Sequence, residues 1–279
     1  MRTIAYFPSQ CAQNSYAVMN ALLESAQSTG IALLENSMEA DAVVIWSVLL
    51  SGRMRPNKQV YDHYRAQGKP VIIVEVGALH RGRTWKIALN NITANGYYGH
   101  TENLDWNRPK KLGISLAIPA FNRPEILISA QHRHSLQVTD LPSIEAWIYQ
   151  QIIRVKQFTD RPIRVRPHPR SRLDARLLPS DIVFEKPHPL ANTYDSFDMH
   201  FDCHAVVNYN SGPGIQAAIS GTRPIVDRTS LAYPVSVSYA ELEQPYLTDR
   251  ARWLIEISHT EYLVEEIREG LWLKRLQLL

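Results

Sequence analysis

Cysteine is scarce in this chain of 279 residues: only Cys11 and Cys203 occur, far apart. That excludes a disulfide framework or a zinc knuckle and makes a reducing compartment the expected home. Long apolar runs are missing as well. None approaches the ~18–20 residues of a membrane-spanning helix, so no membrane span is expected. The opening MRTIAYFPSQ lacks the apolar region and small-residue cleavage site of a secretory signal, and a cytoplasmic location follows as the expectation. The diagnostic glycine motifs are absent. There is no G-x-x-x-x-G-K-[ST], no G-x-G-x-x-G after the first strand and no G-x-S-x-G. These gaps argue against a P-loop NTPase, an NAD or FAD enzyme and an α/β-hydrolase. Lysine is rare too: of 30 basic residues, 22 are arginine and 8 lysine, with a net charge of +3. The arginine fork pairs bidentately with phosphate, whereas lysine is a point charge. Arg161, Arg164, Arg166, Arg170 and Arg172 cluster, forming either a solvated face or a phosphate-binding rim.

Apolar residues are plentiful, 45% against 20% charged, enough for two cores, and the length suits two α/β domains. Residues 2–7 read as a strand, 13–28 as a helix, 41–49 as a strand buried on both faces, 57–68 as a helix ended by Gly68, and 70–77 as a strand. Residues 100–124 break this rhythm and are the expected interdomain passage. Strands at 125–130, 162–168, 181–186, 204–210 and 223–227 follow, with helices over 143–157 and 213–220. Residues 261–279 read as one amphipathic helix, with Leu263, Ile267 and Leu271 forming a stripe and Arg275 facing water. Strands alternating with helices imply parallel sheets joined by crossovers. The expected fold class is α/β, with two Rossmann-like domains facing a cleft.

Two segments of the second half carry the strongest chemistry. One strand ends in Arg166-Pro167-His168-Pro169-Arg170, and another in Asn210-Ser211-Gly212-Pro213-Gly214-Ile215-Gln216. In an open α/β sheet the carboxyl ends of strands gather in one crevice. A small-residue turn entering a helix offers backbone N–H groups and a helix dipole to an anion, and Ser211 adds a hydroxyl. Read alone, each segment is also compatible with an ordinary turn. Together they resemble the donor half of GT-B glycosyltransferases, in particular the sialyl-, polysialyl- and Kdo-transferases of bacterial capsule assembly. That resemblance implies that His168, Pro169, Ser211 and Gly212 bind the nucleotide phosphate of a nucleotide sugar; Arg166, Arg170, Gly214 and Gln216, in the same two segments, are further donor-binding candidates from their own chemistry. It implies that Gly221-Thr222-Arg223-Pro224-Ile225-Val226-Asp227 shapes the donor pocket. It also implies a donor domain over 111–259, an acceptor domain over 1–110, and residues 260–279 packing back on the latter. The expected reaction is metal-independent and needs no cofactor besides the donor, linked to UDP or CMP.

The first half has its own cluster, His80-Arg81-Gly82-Arg83-Thr84-Trp85-Lys86, followed by Tyr97, Tyr98, His100 and Trp106. Cations interleaved with aromatics suit phosphates and bases, so Arg81, Arg83, Trp85 and Lys86 are acceptor-binding candidates. The alternative is a solvated loop with one anchoring tryptophan. The cluster tilts the expected acceptor toward a hydroxymethylated DNA base, and the pattern resembles phage DNA-modifying glycosyltransferases, with action in the host cytoplasm. Other readings are a capsule-type saccharide acceptor, a non-catalytic nucleic-acid-binding protein, and a sugar-nucleotide epimerase. Glu75, near a strand end, and His80 are the candidate catalytic bases; Glu75 also suits an ion pair with Arg81 or Arg83. His132, His134, His168 and His188 lack a carboxylate or cysteine at zinc-type spacing, so no metal site is expected. Lys186-Pro187-His188-Pro189 repeats the His-Pro pair, as a stiffened turn or as a contact to the nucleotide base.

Overall fold

The computed structural model describes residues 1–119, 123–185 and 201–279. The second His-Pro pair, Lys186-Pro187-His188-Pro189, lies outside the described residues. The chain forms two compact units, Met1–Gly113 with Ile255–Leu279, and Ile114–Leu254, each around its own apolar core. The first contains β1 (Thr3–Tyr6), α1 (Tyr16–Ser28), β2 (Ala32–Glu35), β3 (Ala42–Trp46), α2 (Asn57–Ala66), β4 (Val71–Val76), β5 (Trp85–Leu89) and α3 (Arg108–Lys111). The second contains β6 (Ile126–Ser129), α4 (Ile144–Lys156), β7 (Ile163–Arg166), β8 (Val183–Phe184), β9 (Ala205–Asn208), α5 (Gly212–Ile219) and β10 (Arg223–Val226). The chain leaves the second unit within α6 (Ala251–Ser258). It ends in the first with β11 (Glu261–Tyr262), α7 (Val264–Arg268) and α8 (Leu271–Arg275).

Local sequence explains these elements. Ala-Val-Val-Ile-Trp in β3 is buried throughout, as a strand covered on both faces requires. Helix α1 buries Val18, Met19, Leu22 and Ala26, spaced along one face. Just beyond α2, Gly68 takes φ +68°, a left-handed conformation that costs glycine little. Ser143 caps α4 by accepting a hydrogen bond from the Ala146 amide at 3.0 Å.

The first sheet runs β2-β1-β3-β4-β5-β11; its first four strands are parallel, and β5 and β11 are each antiparallel to the strand before them in that order. The second runs β10-β9-β6-β7-β8 and is parallel throughout. In each sheet the unit's first strand is interior and the chain builds to one side of it, then the other. The order therefore reverses between β1 and β3, and between β6 and β9. Ligands of open α/β sheets bind outside the carboxyl ends of strands at such points.

Two expectations need correction. Trp85 and Lys86 are not in an exposed loop: they open β5, which is hydrogen-bonded on both sides, and are only 8% and 6% exposed. Trp85 packs on Trp46, ring centroids 5.7 Å apart. The C-terminal segment is not one helix either. Glu261 and Tyr262 pair with Lys86 and Trp85, and Gly270 at φ +74° separates α7 from α8. Ile267 is buried, but Leu263 is half-buried and Leu271 is exposed. Trp272, Leu273 and Leu276 supply the buried apolar surface instead, and the Trp272 indole donates to Ser25 Oγ of α1 at 2.9 Å. Arg275 is half-buried rather than in water, and burial lowers its pKa.

Candidate functional site

The second unit gathers the strongest set of polar groups at the carboxyl ends of β6, β7 and β9, neighbouring strands in the order β9-β6-β7. After β9 comes Asn208-Tyr209-Asn210-Ser211 and then α5. Ser211 is the N-cap residue in extended conformation, and Pro213 sits in the first turn, where its missing N–H costs nothing. Asn208, almost fully buried, fixes this entry. Its Nδ2 donates to Ser129 O of β6 at 2.9 Å and to Ser211 Oγ at 3.0 Å, while its Oδ1 accepts from the Ser211 amide at 2.9 Å. Gly214 lies against the sheet: a Cβ there would stand 2.7 Å from Val226 Cγ1. One residue before the cap, Asn210 and Gln131 exchange hydrogen bonds across the β6–β9 switch point, Asn210 N to Gln131 Oε1 at 2.8 Å and Gln131 Nε2 to Asn210 Oδ1 at 2.9 Å. Half-buried Ser211 and Gly212 thus sit on a rigid polar floor at the head of a helix whose dipole favours an anion.

On the other side of β6, the loop after β7 presents His168. Its Nδ1 accepts from the Arg170 amide at 3.1 Å, which leaves the neutral ring's proton on Nε2 as a donor. Pro169 and Arg170 are exposed beside it, and Gln216 is half-buried on α5. His132, at the end of β6, packs edge-to-face on His168 with ring centroids 5.0 Å apart. Asn210 heads one of the two segments read from the sequence, but Asn208, Gln131 and His132 are not singled out there for this site; the available signal is a polar residue at each strand end, as in ILIS-AQH and AVVN-YNS. No group of three or more His, Cys, Asp or Glu among the described residues is arranged to hold a metal ion.

The arginine rim is mostly committed elsewhere. Arg161 pairs with Glu243 at 2.8 Å, and Arg164 with Glu125 at 2.7 Å. Arg166, expected at the donor phosphate, is buried, pairs with Glu185 and lies over the Phe201 ring at 5.3 Å. Burial without pairing is prohibitive for a guanidinium, and Glu185 supplies that pairing to Arg166. Arg223, in the segment expected to shape the pocket, is likewise buried and donates to the Gln244 carbonyl.

In the first unit, Glu75 is half-buried near the end of β4. Its Oε2 accepts from Ser47 Oγ at 2.7 Å and from the Val48 amide at 3.2 Å, and Lys86 stands opposite it on β5. Ser47 holds φ +65°, unusual for a residue with a side chain. Glu75 is thus tied to Ser47 and Val48, where the sequence suggested Arg81 or Arg83. His80 belongs to a turn closed by Thr84, whose Oγ1 accepts from the His80 amide at 3.1 Å. Arg81 and Arg83 lie on that turn, half-buried and exposed, while Trp85 and Lys86 are interior.

No family model matches the sequence, and no curated protein matches it. Solved structures do. The chain is similar to the β-Kdo 2,4 transferase of Thermosulfurimonas dismutans KpsC, with TM-score 0.53 and 12% identity over 97% of this chain and 98% of that one. It is similar to the β-Kdo 2,7 transferase of the same KpsC, with TM-score 0.53 and 13% identity over 98% and 100%. The glycosyltransferase SnogD of Streptomyces nogalater matches at TM-score 0.27 and 13% identity over 95% and 78%. The two KpsC likenesses establish the fold, a pair of Rossmann-like α/β units. No helix of the described residues is long and apolar enough to cross a membrane.

Proposed function

We propose that this chain is a glycosyltransferase of GT-B type that moves a sugar from a nucleotide-linked donor to a hydroxyl acceptor, the second unit holding the donor's phosphate. The observation that carries this reading is that the His168 loop and the Ser211–Gly212 head of α5 follow β7 and β9, the two strands that flank β6. His168 Nε2–H, Ser211 Oγ and the Gly212 amide are donors suited to a phosphate, with Arg170 adding charge and Gly214 allowing the close packing of the helix on its sheet. Such donors matter most where charge grows on the leaving phosphate as the glycosidic bond breaks. The likeness to two Kdo transferases over nearly the whole of both chains supports the same reading. In the first unit Glu75 is the favoured base, since Ser47 and the Val48 amide fix its orientation.

A saccharide hydroxyl is the acceptor we favour. The case for DNA rests on the His80–Lys86 cluster and the aromatics after it, and two residues of that cluster, Trp85 and Lys86, are buried in β5. The test is a thermal-shift panel of UDP, CMP and their sugar conjugates, followed by transfer of labelled sugar to oligosaccharide primers and to hydroxymethylated DNA. A ligand at 100 times its Kd stabilises by about 2.7 kcal/mol, a readable shift. Stabilisation by one nucleotide and label on a primer is the expected result. No response to any nucleotide overturns the donor site, and label on DNA overturns the acceptor.

A further inference from the structure

We propose that His132 is a positioning residue that holds the His168 loop in its ligand-ready shape, an inference that rests on the phosphate-site reading above. His132 follows β6, whose neighbour is β7, so it stands beside the loop that β7 delivers. It is more than nine-tenths buried. Its Nδ1 accepts from the His134 amide at 3.1 Å, which puts the neutral ring's proton on Nε2. In the proposed brace the Nε2–H donates toward the Arg170 carbonyl, and the Arg170 backbone raises the ring's pKa against the effect of burial. Its edge-to-face contact with His168 completes a bracket around the first residues of the loop.

The same short stretch grips the rest of the loop. Arg133 reaches Ser171 Oγ through Nε at 3.4 Å and donates to the Arg172 carbonyl. Buried Glu145, in the first turn of α4, accepts from Arg133 Nη2 at 2.8 Å and from the Asp174 amide at 3.1 Å. Arg133 and Glu145 thus fasten 171–174, whereas His132 is in ring contact with His168 at the start of the loop. Burial first, then the charges of His134, Arg170 and Arg133, lower the His132 pKa to about 4. At neutral pH the ring is therefore an uncharged brace between two backbone groups rather than a cation for a phosphate.

The test combines amide hydrogen exchange over 168–171 with binding of CMP, UDP and inorganic diphosphate to the full chain. H132A should speed exchange of the Arg170 and Ser171 amides and weaken the bound probe, each by about tenfold, the worth of one hydrogen bond. H132N keeps an acceptor for the His134 amide but falls short of Arg170, and should behave as H132A does. H132Q, which restores a donor toward the Arg170 carbonyl, should recover most of both properties. S211A should weaken binding and leave exchange unchanged. Weaker binding in H132A and H132N with wild-type exchange would make His132 a direct ligand and overturn the proposal, as would wild-type behaviour of both. If the wild type binds none of the probes, the phosphate reading fails, while unchanged exchange in H132N would still overturn the brace by itself.

Discussion

Changing Glu261 to Gln tests whether Lys86 belongs to the interior of the first unit or to a surface for nucleic acid. Glu261 is fully buried and accepts from the Ala78 amide at 2.7 Å, the Leu79 amide at 3.0 Å and Thr84 Oγ1 at 2.7 Å. It lies opposite Lys86 across β11 and β5, and Lys86 lies opposite Glu75 across β5 and β4. Directly opposed residues of antiparallel strands share a face, so the row reads carboxylate, ammonium, carboxylate. Burial lowers the Lys86 pKa, and the charges of Glu261 and Glu75 oppose that shift. In E261Q a single amide oxygen replaces two carboxylate oxygens, one of three donors loses its acceptor, and Lys86 loses one counter-charge. Leaving a buried donor without its acceptor costs about 1–3 kcal/mol. K86M in the E261Q background removes the stranded ammonium, so the double variant should be less destabilised than the sum of the singles by about 1–3 kcal/mol. Denaturant unfolding of the four proteins measures this cycle. Additivity within about 0.5 kcal/mol would refute the buried row, and a loss of DNA affinity in K86M at unchanged stability would return Lys86 to a surface role.

Other consequences are open to direct measurement. G77A should destabilise by about 3 kcal/mol or more, because the new Cβ would stand 2.4 Å from both Glu261 Oε2 and the Thr84 carbonyl, and the backbone atom cannot yield. G270A has room, its nearest neighbour being 3.7 Å away, so its cost should be only the about 1–2 kcal/mol of a left-handed backbone, read as a lowered unfolding midpoint. S211A should weaken nucleotide binding by about 1.5–3 kcal/mol in a calorimetric titration, and wild-type affinity would remove Ser211 from the site. The His132 ring, titrated by NMR, should change charge near pH 4 rather than 6.5. With the folded pKa depressed, the unfolded chain binds the proton first. Its contribution, about 3 kcal/mol, is therefore complete above pH 6.5 and lost as pH falls toward 4, a dependence H132Q should lack.

The alternating strands and helices were legible because a parallel strand covered on both faces reads as an apolar run, as in Ala42–Trp46, and because Gly68 and Pro213 punctuate the helices. The ends of β7 and β9 were legible for a related reason: proline, glycine and polar residues crowd where an apolar strand stops. Strand β5 was not. Its Trp85-Lys86 start looks like a surface motif, and the carboxylates opposite that lysine come from Glu75 on one side and Glu261, 175 positions later, on the other. In the C-terminal segment the recurrence of Leu263, Ile267 and Leu271 spans Gly270, whose left-handed backbone stops the helix that this spacing predicts. His132 shows the deeper limit. In QHRHS it suggested at most a metal ligand, and its relation to His168 exists only because β6 lies next to β7. Strand ends can be read from local composition, but strand order is a property of the whole sheet. A residue whose work is to brace one strand-end loop against the next is therefore invisible until that order is known.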